Sequence, residues 1–235
     1  MAFQSRADEL RQYGHDLLIR KPESTAAAEV LDLMAYLVEC DFVAAEAKLT
    51  TIEHRYKGSK FENYVDEAVA LAASHINFAY GRFNELEKTI ETFLIKHKAE
   101  PNLEQGEYLD VLRLIAQKCM LMDQFQRLAE VFKEISSYKS DERSTNFLYL
   151  ISSVQAMYLM SRGKFLKAQD VALKNIEIAK QNNYKGLMAP IDSMYVLGRC
   201  KLAGARNQEA LDIFEEIKKV AEQYSQWPWY FYADG

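Results

Sequence analysis

The sequence predicts an all-α solenoid of about five antiparallel helical hairpins, and three observations predict it. A short turn motif recurs five times at a nearly constant interval, and apolar residues fall at helical spacing on the stretches that flank each turn. The third is scarcity of turn punctuation. Nine Gly and four Pro in 235 residues are too few for a sandwich or barrel of many short strands. A hydrophobic share of 49% with 27% charged residues is that of a folded chain, which removes disorder as a reading.

Taken in order, residues 1–25 read as an N-terminal capping helix. Ser5 to Leu17 is helix-compatible, and Lys21-Pro22 ends it, because proline lacks an amide proton and forces its predecessor toward extended backbone. Residues 26–224 carry the five hairpins. Their turns are Cys40-Asp-Phe-Val-Ala-Ala45, Gly81-Arg-Phe-Asn-Glu-Leu86, Asp123-Gln-Phe-Gln-Arg-Leu128, Gly163-Lys-Phe-Leu-Lys-Ala168 and Ala205-Arg-Asn-Gln-Glu-Ala210. The last positions stand 41, 42, 40 and 42 residues apart, and an aromatic residue occupies the third position in four of the five.

Before each turn lies the first helix of a hairpin: Ala26 to Glu39, Glu62 to Tyr80, Glu104 to Met122, Asn146 to Arg162 and Leu187 to Gly204. After each turn an apolar stripe marks the second, as in Phe83, Leu86, Ile90 and Phe93, in Phe125, Leu128, Phe132 and Ile135, or in Ala210, Phe214 and Ile217. Breakers separate the hairpins at Lys57-Gly-Ser-Lys60, Lys98-Ala-Glu-Pro-Asn102, Ser140-Asp-Glu-Arg-Ser144 and Asn182-Asn-Tyr-Lys-Gly186. A lone hairpin cannot bury both of its apolar faces, so successive hairpins must lean on one another, which favours one array over 1–235 rather than separate domains. Residues 225–235 hold the aromatic run Gln226-Trp-Pro-Trp-Tyr-Phe-Tyr232. It either covers the last hairpin or opens a further repeat of a longer protein.

These turns resemble the tetratricopeptide repeat family, whose hairpins carry a Gly-Asp-Tyr/Phe-x-x-Ala turn and a Leu-Gly pair in the first helix. Gly163-Lys-Phe-Leu-Lys-Ala168 and Leu197-Gly198 followed by Ala210 carry the likeness, which covers roughly residues 26 to 224. It implies a right-handed superhelix that binds protein, peptide or a small polar ligand in a concave groove. The interval near 41 exceeds the family's usual 34, and Asp32 and Gln155 stand where an aliphatic residue is expected. Repeats of this length resemble the sensor regions of bacterial LuxR-type ATP-dependent transcription regulators and of peptide-pheromone sensors. The chain has neither a phosphate loop nor a helix-turn-helix signature, so the likeness implies a ligand- or partner-sensing region; the alternative is a constitutive interaction scaffold or adaptor.

Composition and spacing argue against other functions. A net charge of −5 gives no basic footprint for nucleic acid or anionic membrane, and no stretch is apolar for long enough to span a bilayer, so the expected location is cytoplasmic. Cys40, Cys119 and Cys200 are isolated and read as reduced packing residues, and His15, His54, His75 and His97 form no metal-ligand pair. No nucleophile elbow or Cys-His pairing appears. The expectation is a chain with no catalytic residues, no metal and no cofactor, and homo-oligomerisation stays open.

By the resemblance, first-helix positions line the groove. The candidates are His75, Phe78, Arg113, Gln117, Met120, Ser153, Met157, Met160, Asp192, Tyr195 and Arg199. Guanidinium forks beside amide, phenol and carboxylate suit a carboxylate-bearing peptide or a polyhydroxylated molecule, and the methionines supply an adaptable apolar floor. Arg113 and Arg199 are the leading pair.

Overall fold

Helix, turn and the residues between them account for the whole of the described chain, and no strand is present among the described residues. The computed structural model describes residues 2–21, 24–99, 105–137 and 145–234. The breakers at 100–102 and 140–144, and Pro22, lie outside them. The chain divides into two compact units, Met1–Glu104 and Gln105–Gly235, so the boundary coincides with the breaker between the second and third hairpins.

The first unit contains α1 (Ala2–Arg20), α2 (Thr25–Glu39), α3 (Phe42–Tyr56), α4 (Glu62–Ala79) and α5 (Phe83–Ala99). Each helix packs on the next, and α2 also packs on α4, so the two first helices of the unit lie side by side. The buried stretch of α4 shows why. Ala68, Ala70 and Ala72 let neighbours approach closely, while Val65, Leu71, Ile76 and Phe78 fill the space between helices. Fully buried Leu33, Ile52, Leu86 and Phe93 join this core, each contributing roughly 1.5–3 kcal/mol by leaving water. Asp32, the residue that departs from the tetratricopeptide pattern, is bridged by Arg11 of α1 at 3.5 Å and Lys48 of α3 at 2.9 Å. Arg11 also forks onto Glu39 at 2.7 and 2.6 Å and lies over the Tyr36 ring, so the N-terminal helix is tied to α2 by charge as well as packing.

The second unit contains α6 (Gln105–Leu121), α7 (Phe125–Ser137), α8 (Thr145–Ser161), α9 (Phe165–Gln181), a single 3₁₀ turn at Gly186–Met188, α10 (Ile191–Ala203), α11 (Asn207–Gln223) and α12 (Trp227–Asp234). Here α6 packs on α8 and α8 on α10, so three first helices are again neighbours. The last hairpin's first helix begins at Ile191 rather than Leu187, because Pro190 holds Ala189 in extended backbone at ψ 141°. The aromatic C-terminal run is helical and packs on α11, with Trp229 fully buried.

All five turns share one geometry. The first motif position is left-handed in each, with φ 59° at Cys40, 68° at Gly81, 53° at Asp123, 68° at Gly163 and 54° at Ala205. Its amide donates three residues back, and the next amide donates five back, as Gly163 N–H does to Met160 O and Lys164 N–H to Leu159 O, both at 2.9 Å. This is the Schellman closure, which satisfies the carbonyls orphaned at a helix end. The last motif position, Ala45, Leu86, Leu128, Ala168 or Ala210, is completely buried in every case. No helix among the described residues is long and apolar enough to cross a membrane.

Candidate functional site

Ten of the eleven sequence candidates are buried, and only Arg199 is exposed. In the first unit His75 and Phe78 lie within α4, with the Phe78 ring against Phe83 at 6.2 Å. In the second, Met120 and Met157 belong to the packed core of α6 and α8.

Four of the polar candidates converge, but on each other. Asp192, at the start of α10, accepts from Gln117 Nε2 at 3.0 Å and Ser153 Oγ at 2.9 Å on one oxygen, and from the Ser193 amide at 2.7 Å on the other. Arg113 of α6 adds a longer contact at 3.4 Å, bonds Asp110 at 3.2 Å, and donates to the Leu187 carbonyl at 2.7 Å. Burial opposes its charge, yet Asp110 and Asp192 together outweigh that cost and hold the guanidinium above its ordinary pKa. Tyr149 donates to the Met188 carbonyl at 3.0 Å; burial first, then the charge of Asp192, push its phenol well above the usual value. Gln226 caps the same connection by donating to Gly186 O at 2.9 Å. The network joins α6, α8 and α10 and holds the 3₁₀ turn in place. Its polar atoms are spent on protein partners, so its chemistry is that of a clasp.

The remaining candidates lead to a cleft. Tyr195 packs between Phe214 and Trp229, with ring centroids 6.0 and 5.4 Å away. One turn along α10, Arg199 lies over the Tyr195 ring and donates to its hydroxyl at 2.8 Å. That contact fixes the guanidinium at the wall of a cleft of about 520 Å³. Phe125 from the start of α7, Met160 and Ser161 from the end of α8, Gly163 and Phe165 from the next turn, and Leu202 and Ala203 from the end of α10 complete the lining. The Ser161 hydroxyl is engaged with the Tyr158 carbonyl at 2.7 Å. A second recess of about 460 Å³ shares Phe125 in its lining, with Gln124, Gln126, Arg127, Asp123 and Glu130 around it.

Sequence reasoning reached Met160 and Arg199 and missed Phe125, Phe165 and Leu202. Phe125 and Phe165 are the turn aromatics, and the same position is buried in the first hairpin, where Phe42 is 2% exposed. In the third and fourth hairpins it is 39% and 41% exposed. A motif repeated at one position carries no signal for that difference, which depends on the neighbouring hairpin.

All three cysteines are buried thiols, and burial pushes that of Cys200 up to about 11. Among the described residues no group of three or more His, Cys, Asp or Glu is placed to hold a metal ion. Comparison with protein-family models, with curated proteins and with solved structures gave no match to this chain.

Proposed function

We propose that this chain is a non-catalytic binding module built of tetratricopeptide-like hairpins, and that the cleft around Arg199 is where it takes its ligand. One observation carries the reading. The cleft joins exposed aromatic and aliphatic walls to a single guanidinium, held in place by Tyr195, and offers no carboxylate, imidazole or thiol for acid–base or nucleophilic chemistry. Such a lining suits recognition of a partner. The hairpin reading is supported by the left-handed residue and hydrogen-bond pattern common to the five turns and by the side-by-side first helices within each unit. The right-handed stacking and the sensor role in a bacterial transcription regulator belong to the same proposal and rest on repeat length and style. A sensor of this kind works if the ligand favours one arrangement of α8 and α10 over another, since only differential affinity shifts an equilibrium.

Screening of peptides, sugars and metabolites by thermal shift, followed by calorimetry, tests the proposal. A binder is expected whose affinity falls about tenfold or more on Arg199→Ala or Phe165→Ala, the loss of one well-placed anchor. A binder indifferent to both substitutions would place the function elsewhere on the molecule.

A further inference from the structure

The charges around the cleft differ in sign from the chain as a whole. The protein carries a net −5, yet the turn that forms one lip places Arg162 and Lys164 beside the lining residues Ser161 and Gly163. Both are exposed, and neither they nor Arg199 has a carboxylate partner among the described residues. By contrast, Arg206 and Lys201 share an ionic partner, Glu209. Arg199 in the cleft wall and two exposed cations on the adjoining turn favour several negative groups spaced along a ligand, because a single anion reaches only one of them at hydrogen-bonding distance.

The shape narrows the class further. Phe125 is a wall shared by the apolar cleft and by the amide-bearing recess next to it. A ligand that fills both must be long, turn past a ring, and present main-chain or amide polarity to Gln124 and Gln126. An extended peptide, advancing ~3.3 Å per residue, meets that description. The second recess sets Asp123 and Glu130 against the single cation Arg127, so its charge balance is negative and the carboxylates belong on the Arg199 side.

We infer that the occupant is an internal peptide segment in which a large apolar side chain, flanked by Asp or Glu, enters between Phe125, Phe165 and Leu202 while the carboxylates meet Arg199, Arg162 and Lys164. This rests on the binding-module reading and adds the partner's chemistry to it. Recognition does not use a chain terminus, since the positive groups are distributed along the lip.

Fluorescence anisotropy with the full chain and end-blocked, fluorescein-labelled octapeptides is the test. One peptide places Leu-Phe between acidic residues, a second replaces the acids by Lys, and a third keeps the acids and replaces Leu-Phe by Ser-Ser. The acidic apolar peptide is expected to bind about tenfold or more tightly than either control, and its affinity to fall as salt rises from about 0.05 to about 0.5 M. The exposed charge reversal Arg199→Glu with Lys164→Glu is expected to invert the preference toward the Lys peptide, with circular dichroism unchanged. Equal binding of the acidic and Lys peptides, with loss on Phe165→Ala, overturns the inference while the cleft remains the binding site. Three other outcomes also overturn it: no peptide binding while a metabolite binds through Arg199, displacement of the peptide by a single-stranded oligonucleotide, or self-association of the chain abolished by Phe165→Ala.

Discussion

Asp192 shows how much one side chain can be asked to hold. It gathers donors from α6, α8 and its own helix in a place with no water-exposed surface of its own, and Arg113 beside it is equally buried. Replacing Asp192 by Ala leaves a buried guanidinium with Asp110 as its remaining ionic partner, and strips Gln117 and Ser153 of their acceptor. Removing one member of a buried pair typically costs about 3–5 kcal/mol, so urea denaturation should show a loss near the lower end of that range. Tyr149, in the same clasp, gives the pH dependence. Its folded pKa is raised above 10.0, so the folded state holds the phenolic proton more tightly than the unfolded chain does. The stability it contributes is present below pH 10 and falls as pH rises from there toward the folded value. Tyr149→Phe removes this titration, so its stability should decline less steeply above pH 10 than that of the parent, although it is lower at pH 8 for want of the bond to Met188. Polarity at Arg113, Gln117 and Asp192 was legible in the sequence, but the pairing was not. Arg113 and Asp192 are 79 residues apart, and nothing local tells a polar residue that meets a ligand from one that meets another helix.

Helices and turns were the legible level, because both follow from local physics. The 3.6-residue period and the left-handed closure depend on residues within one or two turns of each other, and all five motif ends are buried as their apolar character requires. What a turn position costs can be measured. At Gly163 a Cβ would meet nothing within 4 Å, so Gly163→Ala isolates the backbone term of φ +68° and is expected to destabilise by about 1 kcal/mol. Gly198 is the opposite case. A Cβ there would lie 2.8 Å from Phe214, because the second helix of the last hairpin seats that ring directly on the backbone of α10. Gly198→Ala therefore forces overpacking, with an expected cost of about 1–3 kcal/mol. Denaturant midpoints of the two variants separate the causes: the Gly198 defect should be relieved by Phe214→Leu, and the Gly163 defect should not. The Leu197-Gly198 pair was visible in the sequence as a likeness to a family, and its physical reason became visible only with the ring in place.

At the scale of the molecule, the sequence suggested one array over all 235 residues, since the interval between turns is as regular across residue 104 as elsewhere. Within that span the chain divides into two compact units, Met1–Glu104 and Gln105–Gly235. A periodic sequence specifies that neighbours pack, but not how evenly the packing is shared along the chain. Cooperativity follows the packing, so two units that draw on different residues should melt as two transitions. Differential scanning calorimetry of the full chain is expected to resolve them. Asp192→Ala, whose contacts all lie within the second unit, should lower the temperature of one transition and leave the other in place. A single transition that moves as a whole would mean that the loss at Asp192 reaches α1 to α5, and that the chain unfolds as one body in spite of its two units.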